Sequence, residues 1–495
     1  MSGTIRTRRP SSRKEAGAYY TPDPVVASLL SWAVRDIDER MLDPSCGDGR
    51  FIRGHRNSVG IEQDPIAAAH AMSVAPWSLV HEGDFFAWAA NTEERFDCAA
   101  GNPPFIRYQT FKGAVRERAL NLCAKLGARF SGLTSSWAPF LVATASLLRP
   151  GARMSFVVPA EIGHAPYASP LLEYLVGQFE TVHIVAVRKK LFPDLSEDCW
   201  LLHAEGFGGT TREIRFTAVD TFAPSKKPPR NFERVSVHEW RAAWNRRLRP
   251  YVLPKASREL YRLAADDADS HRFGDLARIG IGYVSGANDF FHLRPSLVDQ
   301  LGIPPQLLHA TVRNGRSLPQ RNLTNAVVRK WLRDDEPIYL LHLPKSNDLP
   351  REVRKYLDTE EGAAAREAYK CRMRTPWYSV PDVQVPEFFL TYMSGRNASL
   401  VRNSAGCTCT NSVHSVRLRD KRAVSQVYEL WDTPFVQLSC ELEGHPLGGG
   451  MLKLEPREAS QIVLPSPELL ATLPGNALED ATSIMQNWRH YASAA

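Results

Sequence analysis

Between residues 41 and 207 the sequence alternates short apolar runs with helical or loop segments, and few folds accommodate such a pattern. Five of the runs have the length and composition of buried strands. They cover residues 41–43, 58–62, 96–100, 154–158 and 182–187. Strands that alternate with helices and are apolar on both faces form parallel sheets covered by helices. The sequence therefore predicts an α/β fold with a mostly parallel sheet.

The strand pattern breaks near residue 223, at the start of Ala-Pro-Ser-Lys-Lys-Pro-Pro-Arg. Proline- and lysine-rich stretches of this kind connect domains. We therefore predict a first domain over residues 15–222, a linker or domain edge over 223–240, and a second, α+β domain over 241–495. Residues 136–148 and 240–265 have the composition of helices.

The net charge of +7 is unevenly distributed along the chain. Lysine and arginine balance aspartate and glutamate over residues 1–222, so the whole excess lies in residues 223–495. A basic second half is typical of proteins that hold a polyanion, although an ordinary basic surface explains the count equally well. Residues 1–14 are also basic but lack the apolar segment of a secretion signal, and we expect a disordered arm there.

The composition argues against a membrane protein and a secreted one. No apolar run is long enough to cross a bilayer, and the eight cysteines follow no repeated pair spacing. Such thiols are typical of the reducing cytoplasm, so we expect a cytoplasmic protein. Cys407 and Cys409 are close in sequence, but without a second pair or a histidine cluster we interpret them as strand residues and predict no metal site.

A glycine-rich turn, Asp43-Pro44-Ser45-Cys46-Gly47-Asp48-Gly49, follows the first predicted strand. Its glycines let the backbone approach a ligand at the carboxyl edge of a parallel sheet. The next strand ends in Glu62, whose carboxylate can accept hydrogen bonds from both hydroxyls of a ribose. Asp84 can accept from an adenine amino group while Phe85 or Phe86 packs on the ring. A dinucleotide fits less well, because a third glycine and a phosphate-binding motif are missing.

The most specific signal in the chain is Asn102-Pro103-Pro104-Phe105, which follows the apolar run at residues 96–100. An aromatic amino group attacks a methyl sulfonium poorly unless acceptors hold its hydrogens, because its lone pair is delocalised into the ring. The Asn102 side-chain oxygen and the Pro103 carbonyl can supply both acceptors. The two prolines fix the loop, so little rearrangement is needed during reaction. Phe105 offers a face on which a base can stack.

Together these segments resemble known enzyme families. The turn from Asp43 to Gly49, then Glu62 and Asp84, resembles motifs I, II and III of the class I methyltransferases, whose cofactor is S-adenosylmethionine. The Asn102 loop resembles the (N/D/S)-P-P-(F/Y/W) motif of the amino-methyltransferases. We find no Pro-Cys dipeptide of the kind that C5-cytosine methyltransferases use. The resemblance implies a Rossmann-like class I methyltransferase domain.

Two further segments narrow the resemblance. Tyr20-Thr21-Pro22, followed by an amphipathic helix over residues 24–34, resembles motif X, which closes over the methionine part of the cofactor. Phe192, before Pro193, resembles the aromatic residue of motif VIII that packs against an extruded base, although such a residue can also simply cap a strand. Motif X, then I, IV and VIII, with a C-terminal recognition domain, is the γ order of the N6-adenine DNA methyltransferases of restriction-modification systems.

This resemblance implies a site-specific, adenine-specific DNA methyltransferase that flips its target base out of duplex DNA. It implies that Asn102, Pro103, Pro104 and Phe105 are catalytic, with Phe105 and Phe192 stacking on the base. The implied contacts with S-adenosylmethionine come from Tyr20, Thr21, Pro22, Asp43, Pro44, Cys46, Gly47, Gly49, Glu62, Asp84, Phe85 and Asn102.

The implied partner is double-stranded DNA, and a separately encoded restriction endonuclease is a second candidate partner. Relatives that are fused to a nuclease carry it before motif X, where this chain has some sixteen residues, so we expect no nuclease domain. Residues 279–291 look like a segment common in target-recognition domains of the family. We therefore expect residues 241–495 to be a target-recognition, DNA-binding domain, without assigning base contacts.

Three alternatives remain open from the residues. Methylation of a protein glutamine uses the same loop, but those enzymes are shorter and lack a large basic C-terminal domain. N4-cytosine methylation has nearly the same chemistry, and only asparagine rather than serine at position 102 favours adenine. A catalytically inactive protein that supplies DNA specificity is also conceivable, but the motif residues are intact.

Overall fold

The computed structural model describes residues 20–193, 195, 197–346, 348–447 and 449–491. The chain forms two compact units, which divide between Val252 and Leu253. The basic arm predicted for residues 1–14 lies outside the described residues.

One sheet organises the first unit, with the strand order β3-β2-β1-β4-β5-β7-β6-β8-β9. Neighbouring strands from β3 to β5 run parallel, and β7 lies antiparallel between β5 and β6. Its described strands are β1 (Met41–Asp43), β2 (Ser58–Glu62), β3 (Leu79–Glu82), β4 (Phe96–Gly101), β5 (Leu148–Pro159), β6 (Phe179–Val187), β7 (Cys199–Phe207), β8 (Glu213–Val219) and β9 (Glu233–Ser236). All five predicted strands are present, and the predicted α/β class with a mostly parallel sheet is confirmed.

Helices pack around this sheet. They are α1 (Asp23–Ala33), α2 (Pro65–Val74), α3 (Phe85–Ala89), α4 (Gly113–Lys125), α5 (Trp137–Ala145), α6 (Ser169–Gln178) and α7 (Val237–Ala243). The predicted amphipathic helix over residues 24–34 is confirmed as α1, whose apolar side is buried. The helix predicted over 136–148 ends early, because Leu148 already pairs with Phe96 as the first residue of β5.

The order of the strands reverses at β1, which pairs with β2 on one side and with β4 on the other. In open α/β sheets a crevice forms at such a reversal, outside the carboxyl ends of the strands. Asp43 ends β1 and Gly101 ends β4. The fold therefore brings the glycine-rich turn and the Asn102 loop to the same edge of the sheet.

The boundary between the units differs from the edge predicted at residues 223–240. β9 pairs antiparallel with β8, and this ladder keeps the segment in the first unit. The helix predicted over 240–265 is also wrong, since α7 and α8 (Lys255–Ala265) are separate helices. Between them, Asn245 and Arg246 adopt positive φ angles of 50° and 60°, which end the helix.

The second unit combines small sheets with helices, which confirms the predicted α+β class. Its sheets have the orders β11-β20-β16-β18-β14, β12-β15-β13-β19, β17-β22-β21 and β10-β23. The strands are β10 (His271–Arg272), β11 (Ala277–Ile281), β12 (His292–Leu293), β13 (Leu308–Val312), β14 (Asn322–Leu323), β15 (Tyr339–Leu341), β16 (Phe388–Thr391), β17 (Met393–Ser394), β18 (Leu400–Asn403), β19 (Thr408–Cys409), β20 (Val413–Leu418), β21 (His445–Leu447), β22 (Met451–Lys453) and β23 (Val463–Leu464).

The remaining helices surround these sheets. After α8 they are α9 (Phe273–Leu276), α10 (Asn288–Phe291), α11 (Pro295–Leu301), α12 (Asn325–Arg333), α13 (Arg351–Leu357), α14 (Glu360–Glu367), α15 (Tyr369–Arg372), α16 (Val424–Trp431), α17 (Pro434–Glu443), α18 (Pro456–Ala459), α19 (Pro467–Thr472) and α20 (Gly475–Trp488). Across the described part of the chain, no helix has the length and apolar character needed to span a membrane.

Candidate active site

The glycine-rich turn after β1 is shaped by two glycines. Gly47 and Gly49 have φ angles of 53° and 85°, in the left-handed region that favours glycine. A Cβ atom on Gly49 would lie 2.9 Å from Val74 Cγ2 and 3.0 Å from the Ala71 backbone, both in α2. The Cys46 amide donates to the Ile61 carbonyl over 2.9 Å and thereby ties the turn to β2. This turn forms an open backbone cradle at the sheet edge.

The carboxylate of Glu62 projects from the end of β2 into this cradle. Its Oε2 accepts from the Gly47 amide over 2.9 Å, and its Oε1 accepts from the Asp64 amide over 2.7 Å. A carboxylate offers about four acceptor sites, so each oxygen retains capacity for another donor. Glu62 is therefore held in one orientation and can still accept from a pair of hydroxyls.

Asp43 lies beneath the cradle and is fully buried. Its Oδ1 accepts from the Ser45 amide over 3.1 Å, while its Oδ2 has no hydrogen-bond partner among the described residues. Burial raises the pKa of this carboxyl to about 8; the Ser45 amide opposes the rise, and the charges of Glu62 and Asp48 add to it. Asp43 is thus mostly neutral at pH 7. Its Oδ2 atom is buried and can still form a hydrogen bond.

Gly101, the last residue of β4, lies directly against Asp43. A Cβ atom at this position would come within 2.7 Å of Asp43 Oδ1 and 3.1 Å of Phe156 Cε1. Only glycine lets the strand approach the carboxyl this closely. This contact brings the start of the glycine-rich turn close to the loop that begins at Asn102.

The Tyr20-Thr21-Pro22 turn lies beside the cradle. The Arg50 guanidinium donates to the Thr21 carbonyl over 3.1 Å and lies 5.4 Å from the centre of the Tyr20 ring. Tyr20 is 43% exposed, and a Cβ atom on Gly47 would lie 4.0 Å from its Cε1. The tyrosine ring therefore stands at the open side of the cradle, where Arg50 holds it.

Asp84 caps the start of α3. Its Oδ1 accepts from the Phe86 amide over 3.0 Å, and its Oδ2 accepts from Arg118 Nε over 2.9 Å. The side chain of Phe85 is buried and stacks on Phe140 of α5, with ring centres 5.1 Å apart. Asp84 is thus fixed at the end of β3, and Phe85 forms part of the apolar wall rather than an open ring face.

The Asn102-Pro103-Pro104-Phe105 loop leaves β4 beside the cradle. Ser45 Oγ donates to the Asn102 carbonyl over 3.2 Å, so the two loops are directly bonded. Phe105 is half-buried against an apolar cluster of α1 and the β6–β7 region. Phe192 belongs to the same cluster and is only 7% exposed, so its ring presents little free surface. Its predicted stacking role stays a prediction.

Three residues of the site were not singled out from the sequence. Ser136 begins the segment that we predicted to be helical, where a serine usually caps the helix with its side chain. Here it makes no such cap, and its hydroxyl bonds to the Asn102 loop instead. Ser45 lies within the glycine-rich motif, and only the fold reveals its bond to Asn102. No local signal identifies Arg118, which reaches Asp84 from α4.

The arrangement fits S-adenosylmethionine as a cofactor. The Glu62 carboxylate and the cap at Asp84 supply acceptors for hydroxyl and amino groups at neighbouring strand ends. The backbone cradle leaves space above Gly47. The unpaired Oδ2 of Asp43 offers a further polar partner on the same edge. Among the described residues, no group of three or more histidine, cysteine or acidic side chains is arranged to hold a metal ion.

Comparison with known proteins gives matches over both units. The model of the Type II methyltransferase M.Eco57I C-terminal domain matches residues 245–494, and that of the Eco57I restriction-modification methylase matches residues 63–192. The Type II methyltransferase M.XamI of Xanthomonas campestris pv. amaranthicola is 24% identical over 92% of this chain and 86% of its own length. The Type II methyltransferase M.AccI of Acinetobacter calcoaceticus is 20% identical over 91% and 85%.

One solved structure shares the fold over most of the chain. The Type IIL restriction-modification enzyme MmeI, solved in complex with DNA, matches with a TM-score of 0.56 and 12% sequence identity. The match covers 92% of this chain and 69% of that chain. At this level of identity the likeness concerns the fold alone.

Proposed function

The chain belongs to the family of Type II restriction-modification methyltransferases, and we propose that it transfers a methyl group from S-adenosylmethionine to the N6 amino group of adenine in double-stranded DNA. The observation that carries this proposal is the direct contact between two loops at the reversal of strand order. The glycine-rich turn ends β1, the Asn102 loop ends β4, and Ser45 bonds to the Asn102 carbonyl. A methyl donor in the turn is then adjacent to an amino group in the loop.

The cofactor, when bound, supplies a methyl group on a sulfonium sulfur, so no nucleophilic side chain is needed. Glu62 accepts from the ribose hydroxyls, Asp84 from the adenine amino group, and the turn from Asp43 to Gly49 lies along the methionine part. Tyr20, Thr21 and Pro22 close this side of the site. Each of these roles is a proposal that rests on the positions of the side chains and the family resemblance.

Asn102 Oδ1 and the Pro103 carbonyl accept the two hydrogens of the substrate amino group. As the nitrogen forms its bond to the methyl carbon, the bond from that carbon to the sulfonium sulfur breaks, and its electron pair stays on the sulfur of the departing thioether. The amino hydrogens become more positive during this exchange, so both acceptors bind the transition state more tightly than the ground state. One proton then leaves the methylated nitrogen for water. Two prolines restrict the loop before the substrate arrives, so little rearrangement is needed during reaction.

An amino group inside a duplex is out of reach of such a loop, so the target base has to be flipped out. Phe105 is half-buried at the site and offers a stacking face, with Phe192 proposed as the second ring. Target recognition is assigned to the second unit, because the M.Eco57I C-terminal domain model matches residues 245–494. The basic excess expected there lies mainly in residues 223–252, which belong to the first unit, so charge does not support this assignment. We propose that the enzyme protects DNA against a separately encoded restriction endonuclease.

The proposal is tested by incubating the purified protein with S-[methyl-³H]adenosylmethionine and plasmid DNA, followed by digestion to nucleosides and chromatography. We expect the label in N6-methyladenine. Label in N4-methylcytosine would refute the choice of base while keeping the amino-group chemistry. Cofactor binding without any transfer to DNA would favour an inactive specificity protein instead.

A matched pair of variants links the activity to the loop. Asn102→Ala removes one proposed acceptor, and Asn91→Ala removes an exposed asparagine just after α3. We expect the first to lose transfer and the second to retain it. Equal activity of the two variants would show that the Asn102 side chain takes no part in the reaction.

A further inference from the structure

The backbone carbonyls of Asn102, Pro103 and Pro104 differ in their hydrogen-bond partners. The Asn102 carbonyl accepts from Ser45 Oγ over 3.2 Å, and the Pro104 carbonyl accepts from Ser136 Oγ. Among the described residues, no hydrogen-bond donor reaches the Pro103 carbonyl between them. The outer two carbonyls are therefore bound by serine hydroxyls, while the middle one is left for a donor from outside the protein.

Ser136 is held in place by its own backbone. Its amide donates to the Ile106 carbonyl over 3.0 Å, and the Ile106 amide donates back to Ser136 Oγ over 3.0 Å. The residue is fully buried, so its single hydroxyl hydrogen points to the Pro104 carbonyl. Ser45 is fixed in a similar way, because its amide donates to Asp43 Oδ1 over 3.1 Å.

The prolines leave part of the loop conformation undecided. Proline fixes its own φ angle, and a residue that precedes proline is steered to extended ψ values. The ψ angle of Pro104, which sets the direction of its carbonyl, is not restricted in this way because Phe105 follows it. Neither Pro103 nor Pro104 has an N–H group, so neither residue can donate a backbone hydrogen bond that would hold the loop. The hydroxyls of Ser45 and Ser136, which come from other parts of the chain, donate to the two outer carbonyls and hold their directions.

We infer that Ser45 and Ser136 are positioning residues that turn the outer carbonyls of the loop away from the substrate and leave the Pro103 carbonyl aimed at the amino group. This inference rests on the proposed function. Neither serine touches the reacting atoms. Their effect is to fix the acceptor geometry before the base enters the site, and small misplacement of reacting groups can cost about 100-fold in rate.

The test compares Ser136→Ala and Ser45→Ala with the wild-type protein in single-turnover methyl transfer to plasmid DNA at saturating cofactor. We expect rates about 10- to 100-fold lower, with KM for DNA and Kd for S-adenosylhomocysteine within about twofold. Ser146→Ala is the matched control, because Ser146 Oγ donates to the Ala143 carbonyl at the end of α5, away from the loop.

A conservative variant separates positioning from a loss of folding. Ser136→Cys keeps the size of the side chain with a weaker donor, and we expect a rate between those of wild type and Ser136→Ala. If Ser136→Ala fails to fold, Ser45→Ala and Ser136→Cys still decide the question. Unchanged rates in both would overturn the inference. If instead the wild-type protein transfers no methyl group, the proposed function itself fails.

A second observation concerns the second unit. Arg278 of β11 and Arg417 of β20 are directly opposite each other in an antiparallel pair, so their side chains project from the same face. Like charges in this position destabilise a sheet. Neither guanidinium forms an ion pair with any described residue. The neighbouring Glu387 already accepts from the Leu418 amide and pairs with Lys421.

We propose that the Arg278–Arg417 pair binds a phosphate of the DNA backbone, which relieves the repulsion between the two guanidinium groups. This also rests on the proposed function. The test measures Kd for DNA as a function of salt for Arg278→Gln and Arg417→Gln. Each lost phosphate contact should lower the slope of log Kd against log salt by about 1.

Arg422→Gln is the matched control, because Arg422 is an exposed arginine of the same unit that already pairs with Asp420. We expect its slope to equal that of wild type. Slopes unchanged in both arginine variants, in a protein that still binds and methylates DNA, would refute the phosphate contact without touching the proposed function.

Discussion

Replacing Asp43 with asparagine should change how the stability of the cofactor-free protein depends on pH. The side chain is fully buried, and burial raises its pKa from 3.8 to about 8. The folded protein therefore binds this proton more tightly than the unfolded chain does. The contribution of Asp43 to stability is full below about pH 4 and is lost as the pH rises toward about 8. Asparagine has the same shape and does not ionise.

The size of the effect follows from the number of protons. Between pH 5 and pH 8 the folded protein holds one more proton at Asp43 than the unfolded chain, so the free energy of unfolding falls by about 1.4 kcal/mol per pH unit. Over the three units this amounts to about 4 kcal/mol at most. Other titrating groups are common to both proteins and cancel when the Asp43→Asn values are subtracted.

Urea denaturation at pH 5, 6, 7, 8 and 9 measures this difference. We expect the stability of wild type relative to Asp43→Asn to decline steadily up to about pH 8 and to level off above it. A difference that stays constant from pH 5 to pH 8 would show that the folded carboxyl ionises at its ordinary pKa, and the buried, unpaired description of Asp43 would be wrong.

Three other substitutions probe separate parts of the site. Glu62→Gln should weaken binding of S-adenosylhomocysteine at least about 10-fold in calorimetry, because each hydrogen bond to a charged group contributes about 1.5–3 kcal/mol; unchanged affinity would remove Glu62 from the site. Gly101→Ala should lower the free energy of unfolding by about 1–3 kcal/mol in urea titrations, because the added Cβ meets Asp43 Oδ1; a fully stable variant would contradict that contact. Phe192→Leu keeps most of the buried volume, so its melting temperature should fall only slightly while methylation of duplex DNA slows. If its duplex activity equals that of wild type, Phe192 acts only in the core.

The sequence predicts five strands of the first unit because their residues are apolar on both faces. It misses the buried strand β7, whose apolar run is interrupted by His203 and Glu205. β3 was missed because it is an edge strand that is not apolar on both faces. Leu79 and Glu82 at its ends are exposed. The domain edge was misplaced because proline and lysine are frequent both in linkers and in loops between strands. Only the pairing of β9 with β8 shows that the chain has not yet left the first unit.

The candidate site was predicted as separate motifs, and the fold supplies their adjacency. Ser45 and Asn102 are distant in sequence, and they meet because β1 and β4 are neighbours where the strand order reverses. The bond from Ser136 to Pro104 depends on how α5 packs beside the loop, and no sequence spacing encodes it. Motifs that bind through one loop are thus readable from sequence, whereas contacts between loops are not.

All eight cysteines are free thiols buried in the folded chain. Maleimide reagents react with exposed thiolates, and burial also raises the pKa of thiols such as Cys98 and Cys123 to about 12. Maleimide reagents should therefore not label the native protein, even with all eight cysteines in place. A single cysteine introduced at a surface position then becomes the sole attachment point for a fluorophore, which makes the wild-type background directly suitable for single-molecule measurements.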